Sequence, residues 1–115
     1  MMITMNDVIA FVRKAMKKKF EIENGYNCIS VKYENKIIVF IRGYNCGKEV
    51  LVLRTNHSGK THELEITEED ILKWKLLQME CDNYQNEIAI ENFNNFFKEE
   101  EIKPTTINDL DNEDD

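Results

Sequence analysis

The segment that decides the fold is residues 36–55, KIIVFIRGYNCGKEVLVLRT, where two runs rich in β-branched and other large apolar residues flank a short link. Such runs predict strands at about 36–42 and 49–55. The link between them, Gly43 to Lys48, is short enough to close a β-hairpin. Both strands are apolar at successive positions, so the sequence predicts a hairpin at the centre of a sheet with apolar residues on both faces.

Two further runs, at about 26–33 and 61–66, extend this hairpin into a four-stranded antiparallel meander, because the connecting segments are again short. If each hairpin pairs about the centre of its turn, one face carries Ile29, Val31, Ile38, Phe40, Leu51, Leu53, Leu64 and Ile66. The opposite face carries Ile37, Val39, Ile41, Val50 and Val52 at its centre, with Lys32, Arg54, Glu63 and Glu65 towards the edges. This second face requires a cover, either a helix or another subunit.

Helices are predicted before and after the meander in the sequence. Residues 6–19 have apolar side chains at helical spacing, with Lys17, Lys18 and Lys19 at the end that favours cations. Thr67 is a suitable N-cap for a helix that runs to about Asp82, and a second C-terminal helix follows at roughly 85–99. Within the first of these two helices the candidates for burial are Ile71, Leu72, Trp74, Leu76 and Met79.

The predicted fold class is therefore α+β: an N-terminal helix, a four-stranded antiparallel meander, two C-terminal helices and a disordered acidic tail. The predicted boundaries are a single domain at 1–102 and a tail at 103–115, whose composition has too few apolar residues to offset the entropy of ordering.

Charge is distributed unevenly along the chain. Residues 1–60 contain eleven Lys and Arg against five acids, whereas residues 61–115 contain four Lys against seventeen acids, and the net charge is −7. A surface of one sign steers charged molecules, so this asymmetry favours a macromolecular partner.

The candidates for chemistry are Cys46, His57 and His62. Zinc sites need three or four ligands, the spacing of these three residues matches no standard module, and a fourth ligand is missing. A Cys46 nucleophile needs a base within hydrogen-bond reach, but a meander places the turns that hold Cys46 and His57 at opposite ends of one strand. We therefore expect no catalytic residues, no metal and no cofactor, and a protein that is not an enzyme.

Three cysteines, an odd number, favour a reducing compartment. The N-terminus lacks the pattern of a signal peptide, and no run of apolar residues is long enough to span a membrane. The expected location is the cytoplasm.

Two charged surfaces are candidates for binding. The acidic one comprises Glu68, Glu69, Asp70, Glu80, Asp82, Glu87 and Glu91 on the C-terminal helices, whose carboxylates could imitate the phosphates of nucleic acid and occupy the basic groove of a partner protein. The basic one would contact nucleic acid directly, with tyrosine rings for stacking. Its residues are Lys17, Lys18, Lys19, Lys32, Arg42, Lys48, Arg54, Lys60, Tyr26, Tyr33 and Tyr44.

The order of helix, meander and acidic helices over roughly residues 5–100 resembles that of small phage-encoded anti-CRISPR proteins that act as DNA mimics against Cas9. The segment Leu53-Arg54-Thr55-Asn56-His57-Ser58 is also similar to a strand-to-turn segment of small phage proteins. The resemblance implies a non-enzymatic inhibitor that binds a basic, nucleic-acid-handling host protein, such as a CRISPR effector nuclease, through its acidic helices. Two alternatives stay open: an accessory protein that binds nucleic acid through its basic half, and a structural homodimer formed through the second sheet face.

Overall fold

A computed structural model describes residues 2–99, which form two helices and one five-stranded antiparallel sheet. The elements are α1 (Met5–Lys17), β1 (Glu21–Gly25), β2 (Cys28–Tyr33), β3 (Lys36–Asn45), β4 (Lys48–Thr55), β5 (Thr61–Glu65) and α2 (Glu68–Glu99). The chain divides into two compact units at Tyr84, so that α2 contributes to both units. The predicted tail at 103–115 and the end of the predicted domain at residue 102 lie outside the described residues.

The sheet has the order β1-β2-β3-β4-β5, with β1 and β5 as its two edge strands of five residues each. The antiparallel α+β fold and the predicted register are confirmed: Ile29 is opposite Phe40, Phe40 is opposite Leu53, and Leu51 is opposite Leu64. The hairpin between β3 and β4 closes through Cys46 and Gly47, both at positive φ, a conformation typical of two-residue hairpin turns. Asn27 and Glu34 adopt the same left-handed conformation in the two preceding turns.

The prediction of four strands missed β1. Residues 21–25, EIENG, contain one large apolar residue, Ile22. The segment therefore lacks the repeated alternation of apolar and polar side chains that predicts a strand. The strand is stabilised by pairing with β2, where Ile22 lies opposite Val31 and is buried.

The predicted pair of C-terminal helices is one continuous helix, α2, of 32 residues. The polar segment 82–86 was expected to break it, but residues 68–99 contain neither Gly nor Pro, and Asp and Asn lower helix propensity only slightly. Two side chains of the segment 82–86 also make tertiary contacts. Asp82 accepts a hydrogen bond from Asn24, and the Tyr84 hydroxyl donates one to the Phe20 carbonyl. Neither described helix is long and apolar enough to cross a membrane.

Both α1 and the first part of α2 pack on one face of the sheet, here called the inner face, which carries Ile29, Phe40 and Leu51. The Phe11 ring of α1 lies 5.9 Å from the Phe40 ring, and the Asn24 side chain on the same face donates to the Gln78 carbonyl of α2 at 3.0 Å. The largest fully buried side chains come from α1, the sheet and α2. They are Trp74, Phe40, Ile29, Leu51, Leu77, Val8, Val12 and Cys81.

Candidate binding surfaces

The predicted acidic residues divide into those that hold the fold together and those that do not. Asp70 belongs to the first group, because it forms a capping box at the start of α2. Its carboxylate accepts from the Thr67 backbone N–H at 3.0 Å, and its own N–H donates to the Thr67 hydroxyl at 3.2 Å.

Glu80 is the acidic partner of α1. Nε and Nη2 of Arg13 donate to its two carboxylate oxygens at 2.9 and 2.7 Å, a bidentate pair between the two helices. These hydrogen bonds lower the pKa of Glu80 below its ordinary value, in spite of partial burial that acts in the other direction. Asp82 similarly accepts from Asn24 Nδ2 of β1 at 2.7 Å.

A glutamate with a lowered pKa contributes stability above its ordinary titration range and loses that contribution as the pH falls through the folded pKa. We therefore expect Glu80→Gln to reduce the melting temperature slightly at neutral pH and to leave it unchanged at pH values where Glu80 is protonated. Thermal melts across the acidic range check this, with Glu87→Gln as the control. A deficit of Glu80→Gln that persists at low pH would contradict the ion-pair assignment.

Four of the predicted carboxylates are exposed and make no close contact that stabilises the fold. Glu68, Glu87 and Glu91 make no hydrogen bond or ion pair with the described residues, and Glu69 has only a long 3.6 Å contact with Lys73. Glu68 and Glu69 lie in the first turn of α2, and Glu87 and Glu91 lie one turn apart in its second part. These four residues, here called the free carboxylates, are available to a partner.

The first part of α2 also exposes large apolar side chains. Leu72, Leu76 and Met79, which were predicted to be buried, are 62%, 58% and 61% exposed. Trp74 is buried as predicted. It shares the core side of the helix with Leu77, Cys81 and Tyr84, which follow it at the same spacing of three and four residues. The exposed row was not among the predicted binding surfaces, although both apolar rows follow helical spacing in the sequence.

Within the second part of α2, Ile90, Phe93 and Phe96 are 62%, 55% and 50% exposed. The Phe97 ring lies edge-on to Phe93, with centroids 4.5 Å apart. This part of the helix thus exposes a contiguous apolar surface beside Glu87 and Glu91.

The second sheet face, here called the outer face, carries the residues that the sequence assigned to it. Ile37, Val39, Ile41 and Val52 are half-buried, and Val50 is buried. Neither α1 nor residues 68–84 of α2 lie on it. Its margin mixes signs, with Glu21, Glu23, Lys32, Arg54, Lys48, Glu63 and Glu65.

The predicted basic surface is dispersed. Arg42 lies on the inner face, where it makes a bidentate pair with Glu49 at 2.9 and 3.1 Å; its hydrogen bonds lower the pKa of Glu49. Lys48 pairs with Glu65 at 3.1 Å, and the Tyr33 ring stacks on Phe20 rather than standing free. Tyr26 and Tyr44 are exposed, at 95% and 72%.

The three candidates for chemistry are also separated. Cys46 lies in the turn between β3 and β4, whereas His57 follows the C-terminal end of β4. His62 lies in β5, opposite Leu53 of β4. The described residues contain no group of three or more His, Cys, Asp or Glu side chains placed to hold a metal ion. The Cys81 thiol is fully buried, and burial raises its pKa to about 11, which disfavours the nucleophilic thiolate.

Comparison of the chain with protein-family models, with curated proteins and with solved structures finds no match.

Proposed function

We propose that this protein is a non-enzymatic inhibitor that binds a basic, nucleic-acid-handling protein of a bacterial defence system, such as a CRISPR effector nuclease. The free carboxylates of α2 provide the contact, and the protein acts in the cytoplasm of the host cell.

One observation supports this proposal above others: Glu68, Glu87 and Glu91 lie exposed on one helix, without a cation of the described residues to neutralise them. Unpaired carboxylates next to exposed apolar side chains are suited to a partner that carries Lys and Arg, because charge complementarity accelerates association and fixes orientation. The resemblance in element order to anti-CRISPR DNA mimics points to the same class of partner.

The structure changes which of the predicted residues should be tested. Reversal of Glu80 or Asp82 would also break the contacts with Arg13 and Asn24, so that loss of binding and loss of structure would be confounded. The free carboxylates do not have this drawback.

The test compares two triple variants of equal charge. Glu68→Lys, Glu87→Lys and Glu91→Lys together should reduce capture of a basic nucleic-acid-handling protein from bacterial lysate at least about tenfold, the effect of 1.4 kcal/mol. The control carries Glu21→Lys, Glu23→Lys and Glu34→Lys on the β1–β3 side of the sheet and should retain capture. Circular dichroism verifies that both variants are folded.

Salt provides the second measurement, because exposed ion pairs are screened as ionic strength rises. Binding by the wild type should weaken with salt. Equal capture by both triple variants, or binding that does not respond to salt, would contradict the acidic-surface proposal.

The outer face supports a second candidate, a structural homodimer, because its central Ile37, Val39, Ile41 and Val52 are only half-buried. Direct nucleic-acid binding has less support. The cations of the outer face, Lys32 and Arg54, lie among glutamates of β1 and β5 and form no field of a single sign.

A further inference from the structure

The strand β5 lies at one side of the sheet, and within the described residues it pairs with β4 alone. Beyond its last residue, the Ile66 N–H donates to the Glu49 carbonyl of β4 at 3.1 Å. Hydrogen-bonded pairs alternate along an antiparallel ladder, so Leu64, two residues earlier, also directs its backbone groups to β4. The backbone N–H and C=O groups of Glu63 and Glu65 therefore point away from the sheet, and no hydrogen bond between described residues occupies them.

A groove of about 490 Å³, here called the β5 groove, lies beside these unpaired backbone groups. Its lining includes four consecutive residues of β5, residues 62–65, so the groove reaches the open side of the strand. Apolar side chains contribute to it as well, namely Met2, Ile3, Met5 and Leu64. The volume is within the range of ligand sites, ~300–1,000 Å³, and every lining residue belongs to the first compact unit. This unit thus combines unpaired strand backbone with apolar space next to it.

The side chains along β5 define which strand would fit. Glu63 accepts from the neutral Asn45 amide at 2.8 Å, which leaves its charge uncompensated. Glu65 pairs with Lys48 at 3.1 Å, but these two side chains are 65% and 69% exposed. Opposite charges attract across an antiparallel pair, so residues opposite the two glutamates should be Lys or Arg. Intervening residues point to the inner face, where Leu64 and the apolar lining of the groove favour apolar side chains.

We propose that β5 binds an extended segment of a partner protein in which cationic and apolar residues alternate, and that this segment joins the sheet as a further antiparallel strand. Strand addition derives affinity from backbone hydrogen bonds and specificity from alternate side chains. In the antiparallel orientation, the cationic residue opposite Glu63 exchanges both backbone hydrogen bonds with it. The same residue then supplies the charge and the backbone pairing.

This inference does not rest on the proposed function, because it uses none of the free carboxylates of α2. A partner with a cationic segment agrees with that function. The two proposals fail separately, since the triple variants of α2 leave β5 unchanged.

Fluorescence anisotropy with the full-length chain tests the proposal. The probe is a labelled peptide of alternating lysine and valine, slightly longer than the five residues of β5. Two further peptides carry backbone N-methyl groups, one on two lysines and the other on two valines. Methylated lysines lack the N–H groups that face Glu63 and Glu65, so this peptide should bind at least about tenfold more weakly than the unmodified one. The valine-methylated peptide has the same charge and should retain its affinity.

A pair of double variants of equal charge tests the side chains. Glu63→Lys with Glu65→Lys should weaken binding of the unmodified peptide at least about tenfold, because lysines of the peptide would then meet lysines of β5. The control, Glu21→Lys with Glu23→Lys in β1, should retain binding at physiological salt, where distant exposed charges are screened. Circular dichroism verifies that both double variants are folded.

Three results would overturn the proposal. The first is no binding of the unmodified peptide, and the second is equal affinity of the two methylated peptides, which would show attraction without backbone pairing. The third is a wild-type dimer that the peptide dissociates in sedimentation velocity, which would assign β5 to a second copy of the chain. Weaker binding of the valine-methylated peptide than of the lysine-methylated one would overturn the antiparallel orientation, because a parallel strand pairs through the flanking residues.

Discussion

Replacement of Phe40 by alanine is expected to lower the free energy of unfolding by about 3–5 kcal/mol, the range of large-to-small changes of buried aromatic residues. Phe40 is 2% exposed at the centre of the inner face, between Ile29 and Leu53 of the neighbouring strands and below the ring of Phe11. A loss of this size is a large fraction of the roughly 5–15 kcal/mol that stabilises a typical domain.

Urea denaturation of Phe40→Ala and Val39→Ala measures this effect with a control from the adjacent position. Val39 points to the outer face and is only half-buried, so its truncation should cost about 1 kcal/mol. Similar losses for the two variants would show that the two sheet faces do not differ in burial as described.

Replacement of Leu77 by alanine should cost about 2–5 kcal/mol, whereas the same change at the neighbouring Leu76 should cost no more than about 0.5 kcal/mol. Leu77 is 1% exposed and Leu76 is 58% exposed, since a step of one residue rotates the side chain by about 100° around the helix. The pair of variants therefore determines which side of α2 faces the core.

Urea denaturation of both variants and of the wild type should be measured at one protein concentration. If Leu76→Ala proved the more destabilising variant under these conditions, the helix would have to be rotated relative to the sheet.

The register of the central strands could be predicted from the sequence because the short links fix where each hairpin turns, and pairing about these turns brings Ile29, Phe40 and Leu53 to one face. A one-residue slip would turn Phe40 or Leu51 to the opposite face of the sheet. The strand β1 was missed for a related reason: with Ile22 as its only large apolar residue, its pairing depends on β2 rather than on its own pattern.

The burial prediction for α2 was confirmed for Trp74 but wrong for Leu72, Leu76 and Met79. The helix has two apolar rows, one through Trp74 and Leu77 and one through Leu72 and Leu76. Helical periodicity identifies both rows but does not state which one contacts the sheet. Long-range hydrogen bonds determine which row faces the sheet. Asn24 forms them with Gln78 and Asp82, more than fifty residues away in sequence, and Arg13 forms them with Glu80. The same contacts divided the predicted acidic surface into structural and free carboxylates.

The two edge strands, β1 and β5, bear on how this chain avoids aggregation. An edge strand leaves a row of backbone donors and acceptors ready to pair with a strand of another molecule, and the sheet behind it is rich in Ile and Val. Glu21 and Glu23 in β1, and Glu63 and Glu65 in β5, occupy alternate positions on these edges. A β1 or β5 strand added from another copy would bring its own glutamates next to these glutamates. The repulsion between the carboxylates disfavours open-ended extension of the sheet from copy to copy.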